Sequence, residues 1–189
     1  MALCITGDPA ADTLLGDDPL ALLLGMALDQ QIPMEKAFAG PAVLLERLGH
    51  LDAARIAETD EATFAAAMAG PPAVHRFPGS MGKRVKDLCA VVAEDYANDA
   101  ASVWADAGTG AELLRRVEAL PGFGRQKAQI FVALLGKQLK VRPKGWREAA
   151  GAYGENKVTR SVADVTSKAT LLQVRAYKQA AKAAARGAG

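Results

Sequence analysis

Apolar residues crowd the stretch from Leu20 to Leu28, where Leu20, Leu22, Leu23, Leu24, Met26, Ala27 and Leu28 leave no polar face. A helix that is apolar all round belongs at the centre of a core. Asp17 and Asp18 before Pro19 supply a cap and a first-turn proline, so a helix is expected from Pro19 to about Gln31. The run gives way to polar Asp29-Gln30-Gln31, and Pro33 biases Ile32 away from helical backbone. Short helices are expected over Met34 to Phe38 and Ala42 to Leu48. Thr59-Asp60-Glu61 reads as a helix start and Gly70-Pro71-Pro72 as a stop. His75 to Gly82 is loop by composition, and a helix from Lys83 to about Asp95 places Val85, Leu88, Cys89 and Val92 at helical spacing. Thr109 to Leu120 turns Leu113, Leu114, Val117 and Leu120 to one face. A strongly apolar helix then runs from about Arg125 to Leu135, where Gly136 stops it. Lys137 to Asn156 is expected to be loop with short helical turns, and Leu171 to Ala185 the last helix.

The fold class this implies is all-α. Alanine, the best helix former, is abundant, and stretches rich in β-branched residues are few. The formal net charge of +2 names no partner by itself, but its distribution is uneven. Asp8, Asp12, Asp17 and Asp18 precede any base, whereas Lys137, Lys140, Arg142, Lys144 and Arg147 follow one another without an acid, as do Lys168, Arg175, Lys178, Lys182 and Arg186. Cys4 and Cys89 match no metal-ligand spacing, which excludes a four-cysteine iron–sulfur or zinc site within the chain. The Leu20–Leu28 run is too short to span a bilayer, so the expectation is a cytoplasmic protein without a membrane partner.

Chemistry concentrates at Leu120-Pro121-Gly122-Phe123-Gly124, between two amphipathic helices. Pro121 ends the first helix, and the glycines leave no Cβ between backbone and ligand. The second helix then presents unpaired N–H groups and its positive dipole end, where a phosphate fits. Arg125 and Lys127 add charge beside it. An ordinary tight turn between packed helices is the competing reading of the same residues. His75 is given no chemistry.

The string from Leu120 to Ala128 resembles the helix-hairpin-helix of the HhH-GPD superfamily of base-excision DNA glycosylases. Leu28-Asp29-Gln30-Gln31-Ile32 is similar to the Gln-Gln segment of its 3-methyladenine glycosylase branch, and Phe77 to Arg84 to the loop and basic helix start before the hairpin. The resemblance covers most of Pro19 to Gly136 and implies a two-lobed helical bundle with DNA across the cleft, a damaged base being flipped into it. It implies one two-lobed domain over residues 1–175, a basic tail over 176–189, and a monomer bound to damaged double-stranded DNA at the nucleoid. Contacts to DNA are expected from Leu120, Gly122, Phe123, Gly124, Arg125, Gln126, Lys127, Gln30, Gln31, Lys83, Arg84, Arg142, Lys144 and Trp146, the last as a stacking platform between cations. A monovalent cation, Na or K, is expected at the carbonyls of Leu120 and Gly122, and no other cofactor.

The resemblance weakens at the catalytic positions. Where bifunctional members carry a nucleophilic lysine, this chain has Gln126. Lys127 beside it is turned by about 100° along a helix, so Schiff-base lyase chemistry is not expected. Where the family places an aspartate some twenty residues past the hairpin, Val141 to Trp146 offers none, and Glu148 is the nearest carboxylate. Two functions stay open: a monofunctional glycosylase using Glu148, or a DNA- or lesion-binding protein without catalysis. A helical scaffold whose hairpin merely packs is the third.

Overall fold

The computed structural model describes residues 3–187. These form ten α-helices and three short 3-10 turns, with no strand among them. Helices α1 (Pro9–Asp17) and α2 (Pro19–Leu28) start alike: Asp8 and Asp18 accept first-turn N–H groups, and a proline follows each. The apolar pattern gives no sign of α1, because only Ala11, Asp12 and Leu15 are buried on it. Every residue from Leu20 to Leu28 is buried, as a helix apolar all round requires. That helix ends at Leu28, short of the expected Gln31, and Gln31 turns the chain with a φ of 59°.

The two short helices expected after it are one, α3 (Met34–Leu48), with Pro41 inside. A Cβ at Gly40 would sit 2.7 Å from Leu28 Cδ1, so Gly40 lets α2 and α3 approach closely; this packing outweighs the helix-breaking preference of Gly-Pro. Helices α4 (Ala53–Glu58) and α5 (Glu61–Ala69) pack on α6 (Pro78–Asp95). Helix α6 begins five residues before the expected Lys83, because Pro78 occupies its first turn and Gly82 lies buried near Met68. After a 3-10 turn at Ala100–Val103 come α7 (Gly110–Glu118) and α8 (Arg125–Gln138).

Helix α8 is the hub of the C-terminal half, packing on α7, α9 (Trp146–Ala150) and the 3-10 turns at Gly151–Gly154 and Val162–Asp164. Gly136 does not stop it. The Trp146 ring lies over that glycine so closely that no Cβ could fit, and α8 continues to Gln138. Buried Gln138 donates Nε2–H to the carbonyls of Val162, Ala163 and Val165, tying down the turn that leads to α10 (Lys168–Gly187). Residues 176–187 form the second half of this twenty-residue helix; alanine favours that continuation. Leu171 and Val174 anchor α10, and its far end is exposed. One continuous cluster of buried side chains runs from Leu3 to Val174. No helix among the described residues is long and apolar enough to cross a membrane.

Candidate nucleic-acid interface

The turn between α7 and α8 follows from its residues. Phe123 N–H donates to Leu120 O at 3.1 Å, closing a four-residue turn with Pro121 second and Gly122 third. Gly122 has a φ of 84°, so this is the type II pattern, which requires positive φ at the third position. Leu120 and Phe123 face inward, and Phe123 meets Phe131 edge-on at 5.9 Å. These two side chains, expected among the DNA contacts, are core residues that hold the turn down. The carbonyls of Leu120 and Gly122, where a monovalent cation was expected, belong to this turn, and Leu120 O accepts the Phe123 N–H on one of its two lone pairs. Among the described residues no cluster of His, Cys, Asp and Glu has the make-up of a metal site.

Gly124 is the N-cap of α8, offers no side-chain cap, and has open space where a Cβ would stand. The first turn of α8 thus leaves N–H groups without a side-chain partner at the surface. It carries Arg125 and Lys127 and no acid. Helix starts favour acids; the first turn here has none of its own, and Glu118 at the end of α7 accepts from Arg125 Nη1 at 3.0 Å.

Three of the expected residues meet beside this turn. The aliphatic part of Arg84 lies against Gly122, where a Cβ would come within 2.5 Å of Cδ. Arg84 Nη1 then donates to Gln30 Oε1 at 2.8 Å, joining α6, the α7–α8 turn and the segment after α2. His75 holds that segment from the other side. Phe77 N–H donates to its Nδ1, which leaves the proton on Nε2 to donate to Gln30 O at 2.8 Å. The histidine given no chemistry is a buried clamp. Lys83, one residue from Arg84, is exposed and pairs with Asp87 on its own helix.

Gln30, Gln31, Gln126 and Lys127 line one cleft of about 590 Å³, to which α10 contributes Arg175, Lys178, Gln179 and Lys182. That volume is in the usual range for small-ligand sites, roughly 300–1,000 Å³. Gln126 donates to Tyr153 Oη at 2.8 Å. Lys127 reaches inward and donates to Ala27 O at 3.0 Å; burial pushes its ammonium down to about 8, against a smaller opposing pull from Asp29. Two carboxylates that sequence reasoning passed over also line the cleft. Asp29 pairs with Lys178 at 3.4 Å, and Glu35 with Arg175 at 3.2 Å, both partners on α10. Only folding reveals these pairs, because α10 is far away in sequence.

The remaining expected residues lie elsewhere. Arg125, Lys144 and Glu148 share a second, shallower depression of about 360 Å³. Glu148 stands exposed on α9 and lines that depression, not the cleft. Trp146 is 6% exposed, with its ring against Gly136 and beneath Arg142 and Arg147, and cannot offer a face to a base. Arg142 donates Nε–H to Gly136 O, which fixes the loop to α8. Burial pushes the Cys89 thiol up to about 12, and its place in the core gives it no ligand to meet.

No protein-family model, curated protein or solved structure matches the chain.

Proposed function

We propose that this chain is a DNA-repair protein that grips duplex DNA through the α7–α8 turn and hydrolyses the N-glycosidic bond of a damaged base flipped into the cleft. On this reading α7, the turn and α8 act as a helix-hairpin-helix, and the cleft separates two lobes. The observation that carries it is the uncapped start of α8, with Arg125 and Lys127 where a helix favours acids, opening beside Arg84 onto the glutamine-lined cleft. A phosphate would add negative charge to that first turn, which carries no acid of its own and meets one only through the Arg125–Glu118 pair. Lys127 is engaged by the Ala27 carbonyl inside the cleft, and Gln126 cannot form an imine. The proposed excision therefore uses water and no covalent enzyme intermediate.

One observation favours a second reading, a lesion-binding protein without catalysis: the loop after α8 brings no carboxylate to the cleft. Base release from duplexes carrying alkylated, deaminated or oxidised bases separates the two; release of any one base supports excision, and binding without release supports the second.

Gly124→Asp tests the shared DNA reading. Aspartate is a better N-cap than glycine by a few tenths of a kcal/mol, and the site has room for it. The variant is expected to melt no lower than the parent while losing roughly tenfold or more in duplex affinity at low salt, since it sets a carboxylate where the phosphate would sit. Unchanged affinity overturns the reading and leaves the turn as a packing element.

A further inference from the structure

Asp29 occupies a position that local energetics oppose. It is the C-cap of α2, where the negative end of the helix disfavours a carboxylate. Its side chain is only 12% exposed. Its visible partners are Lys178, at 3.4 Å on a half-exposed side chain, and the Lys127 ammonium, on which it exerts a weaker pull. Glu35, the other acid of the cleft, needs no such account. It sits in the first turn of α3, where the helix dipole favours it, and pairs with Arg175.

Among the described residues, Lys178 is the only side chain hydrogen-bonded to Asp29, and it meets Oδ2. Oδ1 accepts no hydrogen bond and belongs to a side chain on the cleft wall beside Gln30, across from the first turn of α8. A carboxylate held at an unfavourable position, half-satisfied, in the cleft's wall is the pattern of a group positioned for a charge that arrives later.

We propose that Asp29 is the catalytic carboxylate of the excision put forward above, on which this assignment rests. As the C1′–N bond breaks, its electron pair leaves with the base and positive charge develops on the sugar. Asp29 stabilises that charge and accepts a proton from the water whose oxygen bonds to C1′. The departing base takes up a proton from solvent, and the proton on Asp29 returns to solvent. Water is thus divided between sugar and base, and nothing is oxidised or reduced.

The test measures the charge at this point directly, without needing the damaged base. Two duplexes are compared, one with a neutral tetrahydrofuran abasic site and one with a pyrrolidine abasic site, whose protonated ring nitrogen stands in for the sugar cation. The full chain is expected to bind the pyrrolidine duplex roughly tenfold or more tighter. Asp29→Asn, which keeps the side chain's shape, is expected to abolish this preference while holding the tetrahydrofuran affinity within about twofold. Lys178→Met, which removes the ion pair and leaves the carboxylate, is expected to keep the preference; a purely structural role for the pair would make the two variants behave alike. Failure of the parent to bind either duplex overturns the DNA reading and this assignment together. Binding in which the preference is absent, or survives Asp29→Asn, overturns the assignment alone. On whichever lesion duplex is cleaved, Asp29→Asn is expected to slow single-turnover release at least about 100-fold.

Discussion

Two stretches of this chain look alike in composition and do opposite things in the fold. Residues 120–127 and residues 140–154 are both rich in glycine and cations, and both were expected at the DNA. In the first, side chains reach partners distant in sequence: Arg84 joins Gln30 to the turn, and Lys127 reaches Ala27. The outcome is a surface with an uncapped helix start beside a cleft. In the second, the cations face their own neighbourhood, with Arg142 and Arg147 stacked on Trp146 and Arg142 tied to Gly136. The difference lies in what an aromatic does between cations. When it can be buried against a glycine, it becomes a core residue and the cations become its cover.

The comparison breaks most visibly at Trp146. Trp146→Ala is expected to lower unfolding free energy by roughly 3–5 kcal/mol, read by denaturant melts, while the folded fraction keeps its duplex affinity. A stable variant with weakened DNA binding would show that the ring works at the surface after all.

Lys127 gives a second, smaller effect, visible in its pH dependence. Folding lowers its value from 10.5 to about 8, so between these limits the unfolded chain holds a proton that the folded chain has released. Stability from this residue is therefore least below about pH 8 and is gained as pH rises toward 10.5. The stability of the parent minus that of Lys127→Met is expected to climb across that window, and a flat difference would show the ammonium to be well solvated.

Glu148→Gln is the smallest. No loss of base release and no change in unfolding free energy beyond about 0.5 kcal/mol is expected of an exposed acid outside the cleft; a large loss of release would return the chemistry to α9.

The helices were legible where capping and periodicity agreed, as at Asp18-Pro19 and along the Leu113, Leu114, Val117 face. They were misjudged where a glycine or proline served packing instead of punctuation, at Gly40-Pro41, Gly82 and Gly136. The turn at Leu120–Gly124 could be read because its chemistry is local. Asp29 and its partner on α10 could not, because an ion pair between residues 29 and 178 leaves no trace in spacing. A signal did exist: an acid directly after a wholly apolar helix is set against the helix dipole, and such a misplaced charge asks for a reason.

Arg84 has a mechanical consequence. One rigid, planar group rests on the backbone of the turn at one end of its side chain and holds the amide of Gln30 at the other, while His75 fixes the next carbonyl. The spacing between helix start and cleft rim is thus gauged by a single side chain. Shortening it by substitution with lysine would leave the charge in place and remove the ruler.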